Sequence, residues 1–201
     1  PLDALTGSIH GYEVGSYAAV QLQSLLLDLG VPWLSVSRVM AGTVGAGIML
    51  GVARLAAALA PPQPKARRNA AIAAGTVAAV AWPSLHATTF GFLGTTVEAW
   101  PWALGSVVLL MGARSRERVL MSGVFSAVAW LFSPLAVLAG PALVGSFGSR
   151  KQGRPLAGLA PFLLGGLSVL VLVALVMPGG ATALAKNLRW TMTAAIATLG
   201  F

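Results

Sequence analysis

Three of the five carboxylates in this chain are candidates for acid–base chemistry. Asp3 and Glu13 lie with His10 in the segment PLDALTGSIHGYEVGSY, where several glycines permit tight turns of the backbone. A carboxylate in such a loop could act as a general base, and the imidazole could bind a phosphate group or a metal ion. The alternative interpretation is a solvated loop whose polar side chains have no chemical role.

Glu98 is the third candidate, because it opens an apolar segment, TTVEAWPWALG. The helix dipole favours an acidic side chain in a first turn, and this alone could explain the residue. Ionisable groups at membrane depth are expensive, however, and tend to face a cavity, which makes Glu98 a candidate catalytic residue. Trp100 and Trp102 are predicted to belong to an interfacial aromatic belt, and His86 to be a packed or snorkelling side chain.

Arg38 is a candidate for binding an anionic group. It lies at the start of the apolar segment SVSRVMAGTVGAGIMLGVARLAAAL, where its guanidinium fork could hold a phosphate or a lipid headgroup. The alternative is an ion pair with Asp28 or Glu98. The sequence has no cysteine and no HExxH or CxxC spacing, so it predicts no metal site, and nothing in it indicates a cofactor or a divalent cation.

The composition predicts an integral membrane protein. Hydrophobic residues make up 57% of the chain and charged residues 9%, against about 25% charged in soluble domains. Nine of the thirteen lysines and arginines form three clusters, which the positive-inside rule assigns to the cytoplasmic side. The net charge of +8 therefore indicates anionic membrane lipids as partners and no nucleic acid. The clusters are Lys65, Arg67 and Arg68; Arg114, Arg116 and Arg118; and Arg150, Lys151 and Arg154.

Five apolar segments are long enough, or nearly so, to cross the hydrocarbon core, which takes about 20 residues of helix. They are residues 35–60, 69–90, 95–113, 119–147 and 155–177. The fourth is too long for one crossing and lies between two basic clusters, so it is predicted to break at Phe132, Ser133 and Pro134 into short helices over 119–131 and 134–147. The prediction is an all-α polytopic transmembrane helical bundle with about six membrane helices.

The remaining segments complete a single transmembrane domain over residues 1–201. Residues 1–34 are predicted to form an external loop and an interfacial amphipathic helix, and residues 178–201 an external segment. Within the latter, an amphipathic helix over 183–198 has a predicted wet face of Lys186, Asn187, Arg189 and Trp190. The chain begins at Pro1 without a signal peptide, so we expect a fragment of a multi-pass protein, with the bacterial plasma membrane as its location. This topology collects on the external face Asp3, His10, Glu13, Arg38 and Glu98.

Four segments in chain order resemble the polytopic glycosyltransferases of the GT-C fold, which use polyprenyl-phosphate-linked sugars such as mannose or arabinose. The family's interfacial helix, which commonly ends in glycine, is similar to GYEVGSYAAVQLQSLLLDLG, and the crossing that follows it is similar to the segment containing Arg38. The crossing that begins with an acidic residue resembles TTVEAWPWALGSVVLL, with Glu98 as that residue. The paired short helices resemble MSGVFSAVAWLFSPLAVLAGPALV, with Ser133 and Pro134 at the break.

The resemblance implies a membrane enzyme that moves a sugar from a polyprenyl-phosphate donor to a glycan, lipid or protein acceptor on the external face. An external carboxylate would deprotonate the acceptor hydroxyl while the lipid phosphate leaves the anomeric carbon, and a cation would stabilise the charge that develops on that phosphate. The candidate bases are Asp3, Glu13 and Glu98, and the candidate substrate-binding residues are His10, Arg38 and Arg189. The family's first crossing and early acidic pair would precede Pro1.

Two other classes of protein are compatible with the sequence. A transporter or flippase of lipids or solutes would also use a broken helix and many small residues, but its polar groups would gather near the bilayer midplane in repeated halves. Here the polar residues gather at one face and no repeat is visible. The third class is a non-catalytic subunit of a membrane complex.

Overall fold

The computed structural model describes residues 24–92, 99–111, 115–133, 155–177 and 179–199. These ranges are helical, without a strand, which confirms the all-α prediction. A helical turn at 24–28 comes first. The helices that follow are α1 (Trp33–Leu59), α2 (Pro64–Phe92), α3 (Trp100–Met111), α4 (Arg116–Phe132), α5 (Pro155–Val176) and α6 (Gly180–Leu199).

Two helices among the described residues are long and apolar enough to cross a membrane. The qualifying stretches are Ala41–Leu59 of α1 and Leu159–Val176 of α5. At 1.5 Å per residue each is about 27 Å long, close to the thickness of a hydrocarbon core. Large apolar side chains of α5 point outward, with Leu163, Leu172 and Leu175 between 48% and 81% exposed. A contiguous surface of this kind is unfavourable in water and matches lipid.

Two helices begin earlier than the predicted segments, one at a proline and one after a capping serine. α2 begins at Pro64, earlier than the predicted residue 69, because proline is well tolerated in the first turn of a helix. The first basic cluster therefore lies on the first turns of a helix and not in a loop. α4 begins after Ser115, whose side-chain oxygen accepts a hydrogen bond from the Arg118 backbone N–H at 3.4 Å.

α1 and α3 run in the same direction. A Cβ atom added to Gly47 would lie 2.7 Å from Pro101 Cβ, and one added to Gly51 would lie 2.8 Å from Leu104 Cβ, so the contacts advance along both helices together. The C-terminal ends of α1 and α3 therefore point the same way. Because α2 and α4 start shortly after those ends, they bring their exposed cations to one end of the helices, the basic end: Lys65, Arg67, Arg68, Arg116 and Arg118.

α3 and α4 form an antiparallel pair around two fully buried serines. The Ser106 hydroxyl donates to the Ser122 carbonyl at 2.8 Å, and the Ser122 hydroxyl donates to the Ser106 carbonyl at 2.8 Å. Each hydroxyl has only one proton, so these bonds use both donors. The pair ties the two helices together and has no donor left for a ligand.

α4 and α5 cross where glycines allow backbone contact. Gly123 of α4 faces the carbonyl of Phe162, and Gly165 of α5 faces the carbonyl of Leu120, so an added Cβ atom at either glycine would overlap main-chain atoms. Close approach at small residues is a common basis of helix association in membranes. The packing order of the described helices is α2, α1, α3, α4, α5 and α6.

α4 ends at Phe132, at the predicted break. Ser133 is extended, with φ −154° and ψ 126°, and its N–H donates to the Ala129 carbonyl. The residue before a proline avoids the helical region, so Pro134 explains this conformation. The second predicted short helix, over 134–147, lies outside the described residues.

Candidate functional site

The end of the helices opposite the basic end is built around a small apolar cluster. Ala99, before α3, and Phe132, at the end of α4, are buried there and are covered by Leu26, Leu27 and Val31 from the segment before α1. We call this the opposite end. It is the end at which α1 and α3 begin, and so the end to which the sequence assigns its candidate chemistry.

A glycine turn fixes the segment that covers this cluster. Gly30 has φ +79°, a left-handed conformation that glycine adopts without strain. Its N–H donates to the Leu27 carbonyl at 2.9 Å, and the Val31 N–H donates to the Leu26 carbonyl at 3.0 Å. These two bonds form the Schellman motif that commonly ends a helix, and its hydrophobic contact joins Leu26 and Val31 on the cluster. The segment is thus packed against α3 and α4.

The two tryptophans of the predicted aromatic belt have different environments. Trp100 is 52% exposed, as a belt residue would be. Trp102 is partly buried, with its ring centroid 5.3 Å from that of Phe125 in an edge contact and 6.2 Å from that of Phe132 in a stacked one. Trp102 therefore packs on the aromatic rings of α4, and its place in an interfacial belt stays a prediction.

Arg38 is exposed on the second turn of α1, three residues before the apolar stretch Ala41–Leu59. Asp28 is exposed as well, and neither residue forms an ion pair with another part of the described chain. The alternative in which Asp28 neutralises Arg38 is therefore wrong. The Arg38 guanidinium is accessible at the opposite end.

The other candidate residues fall largely outside the described ranges. Asp3, His10, Glu13 and Glu98 are in this group, and so is the side chain of His86. Ala99, which follows Glu98 in the chain, is 3% exposed in the apolar cluster. Within the described ranges, no group of three or more His, Cys, Asp or Glu side chains could hold a metal ion.

Asn187 has a role that the sequence analysis missed. It was predicted on the wet face of an amphipathic helix, but it is 2% exposed, and its Nδ2 donates to the Trp130 carbonyl at 3.4 Å. The indole Nε1 of Trp130 donates to the Thr191 hydroxyl at 2.9 Å, and that hydroxyl donates to the Asn187 carbonyl at 2.8 Å. These bonds form a closed ring that joins α6 to the last turn of α4, the Trp130–Asn187–Thr191 ring.

The sequence contains the signal for this ring. The Trp130 carbonyl would ordinarily accept a hydrogen bond from the N–H of residue 134, but that residue is Pro134, which has none. A buried carbonyl without a partner is unfavourable, and the amide of Asn187 supplies the missing donor. Asn187 is therefore turned inward, while Lys186 and Arg189 stay exposed.

Arg189 is separated from Arg38 in the packing order. Arg189 lies on α6, which packs on α5 and bonds to α4, whereas Arg38 lies on α1 on the far side of α3. The first and second candidates for the phosphate-binding cation thus lie on helices that two others separate among the described helices.

Comparisons of the chain with models of protein families, with curated proteins and with solved structures find no match. The class of protein is therefore defined by fold and exposure alone. In the part of the chain that the structure describes, it is an all-helical protein with two helices able to cross a membrane, buried polar contacts between helices, and apolar side chains on the outside.

Proposed function

We propose that the chain is part of a multi-pass membrane glycosyltransferase that uses a polyprenyl-phosphate sugar donor. The acceptor hydroxyl would lose its proton to a carboxylate among Asp3, Glu13 and Glu98, and Arg38 would bind the departing phosphate. His10 would contact substrate. Arg189 is the second candidate for this role; two of the described helices separate α6 from α1 in the packing order, so it would act in place of Arg38 and not together with it.

The observation that carries the proposal is the separation of charge along the helices. The cations of α2 and α4 share the basic end, as expected if both starts lie on the cytoplasmic side. Arg38 is exposed toward the other end, and α3, which Glu98 precedes in the chain, begins there too. A lipid phosphate at the outer surface would meet Arg38 while its hydrocarbon chain stays in the bilayer.

Transport is the weaker alternative because of the serine pair. Ser106 and Ser122 lie well inside their helices, where a transporter would carry ligand-binding polar groups, but their hydroxyl donors are used between α3 and α4. In the described part of the chain this pair bonds the bundle to itself and leaves no donor free for a solute.

The test is sugar transfer by the full-length protein in proteoliposomes. The donors are polyprenyl-phosphate mannose and polyprenyl-phosphate arabinose, each radiolabelled in the sugar, and the acceptor is the glycan fraction of the source membrane. Glu98→Gln and Arg38→Ala are each expected to lower the rate by about 100-fold or more, the range for loss of a general base or of an oxyanion-stabilising group.

The matched controls are at the basic end. Arg54→Ala removes an exposed arginine from the same helix as Arg38, and Glu117→Gln removes an exposed carboxylate, and both should transfer sugar at the wild-type rate. Wild-type rates for both Arg38→Ala and Glu98→Gln would overturn the site. Movement of intact donor between leaflets without transfer would favour a flippase, and neither activity would favour a non-catalytic subunit.

A further inference from the structure

Docking of α6 on α4 leaves two different surfaces facing outward. Leu188 and Met192 form one, and they are 54% and 57% exposed. Lys186 and Arg189 form the other and are also exposed. Asn187 points away from both, toward Trp130. The helix therefore has one inward face, one outward apolar stripe and one outward cationic stripe.

The two outward stripes are neighbours on the helix surface. At about 100° per residue, the midpoint between Leu188 and Met192 lies about 110° around the axis from the midpoint between Lys186 and Arg189. The helix contains no acidic residue, and Arg189 forms no ion pair within the described chain, whereas Lys186 already has an interaction there. The charge that an occupant of this surface must meet is therefore that of Arg189, beside the apolar stripe.

The start of α6 lies beside the C-terminal part of α5. The turn between them has Gly179 at φ +69°, and an added Cβ atom at Gly180 would overlap the Val173 carbonyl of α5. The apolar stretch of α5 ends at Val176. α6 therefore begins at the edge of a helix able to cross a membrane, the level at which phospholipid headgroups lie.

We propose that α6 is an interfacial helix that binds anionic phospholipids. Leu188 and Met192 insert among the acyl chains, and Arg189 binds a headgroup phosphate. A cation near an anionic leaflet contributes about 1 kcal/mol, which is about fivefold in affinity. The inference is independent of glycosyl transfer and requires only that α5 crosses the membrane.

The first test measures the depth of single labels. The chain has no cysteine, so Leu188→Cys, Met192→Cys and Thr193→Cys variants of the full-length protein, freed of any other cysteine, each carry one fluorophore. In vesicles of phosphatidylcholine and phosphatidylglycerol, labels at 188 and 192 should be quenched by brominated acyl chains and protected from iodide. The label at 193, beside Arg189, should respond in the opposite way. Iodide quenching at 188 and 192, or protection there from both quenchers as under a partner protein, would overturn the inference.

The second test measures the charge preference at the same place. Brominated phosphatidylglycerol should quench the label at 192 more strongly than brominated phosphatidylcholine. Arg189→Gln should lower that preference about fivefold, whereas Arg189→Lys should keep it. Equal quenching by the two lipids in the wild-type protein contradicts the proposal. Competition by millimolar inorganic phosphate would show that free phosphate, not the lipid, is the ligand.

Discussion

The contacts of α1 and the contacts between α4 and α5 use glycine in different ways. On α1, Gly45 lies against the Trp82 ring of α2, and Gly51 lies against the Leu104 side chain of α3. Between α4 and α5, Gly123 and Gly165 lie against main-chain carbonyls. The first kind of contact is backbone against side chain, and the second is backbone against backbone.

This difference teaches which part of the bundle can adjust. A side chain can move by a few tenths of an ångström while its helix stays in place, but a helical carbonyl moves only with its whole helix. The α4–α5 crossing is therefore the fixed element, and α6 attaches to it at its first residue, through Gly180, and near its middle, through the Trp130–Asn187–Thr191 ring. The α1–α2 hairpin packs on this unit through α3 and has more freedom to adapt.

The largest expected loss of stability comes from adding a methyl group at the α4–α5 crossing. Gly123→Ala and Gly165→Ala each place a methyl group on a carbonyl, so we expect a loss of about 3 kcal/mol or more, the upper end of overpacking penalties. Gly166→Ala is the matched control on the same helix, because its added Cβ atom would lie 3.5 Å from the Gly123 carbonyl, an ordinary contact.

The measurement is unfolding of the full-length protein in mixed micelles by increasing SDS, followed by circular dichroism. The order expected is wild type close to Gly166→Ala, with both other variants far less stable. A Gly123→Ala protein as stable as the Gly166→Ala protein would show that α4 and α5 separate without cost.

Sequence reasoning predicts the helices of this protein better than the contacts between them. The break before Pro134 and the ends of α1 and α5 follow from local chemistry. Proline ends a helix at or just before its own position, and a basic cluster marks where the chain leaves the membrane. Asn187 was assigned to the wrong face because its partner, the Trp130 carbonyl, is 57 residues away in the chain. The missing donor at Pro134 predicts that some partner exists but does not say which residue it is.

The candidate site is predicted from residue types, and the surroundings of its residues come from other helices. The exposure of Arg38 follows from its place just before an apolar stretch, where a charged side chain remains at the surface. The inward packing of Trp102 does not follow from its own segment, since it depends on Phe125 and Phe132 of the next helix. Local sequence patterns thus predict where along a helix a residue lies. The face of the helix on which its side chain packs depends on a partner helix.

A smaller difference in stability is expected between alanine substitutions at two glycines of the α1–α2 hairpin. An added Cβ atom at Gly51 would lie 2.8 Å from Leu104 Cβ, so Gly51→Ala should cost about 1–3 kcal/mol as the Leu104 side chain and α3 shift. At Gly75 the nearest atom, Ala53 Cβ, is 3.5 Å away, so Gly75→Ala should gain about 0.5–1 kcal/mol from helix propensity. The same SDS titration measures both. Equal stabilities would mean that side-chain adjustment at α1 removes the cost entirely.

The smallest effect concerns the serine pair, where two hydrogen-bonding patterns predict different results. The hydroxyl oxygens are 3.0 Å apart and could bond to each other, but each also lies 2.8 Å from the carbonyl of the other residue. If the carbonyl bonds dominate, each survives removal of the other side chain, because its acceptor belongs to the backbone. Ser106→Ala and Ser122→Ala should then each cost about 0.6 kcal/mol, the average for such bonds in membrane proteins, and the double variant should equal their sum. A coupling energy above about 0.5 kcal/mol in this double-mutant cycle would instead assign the stabilisation to the bond between the hydroxyls.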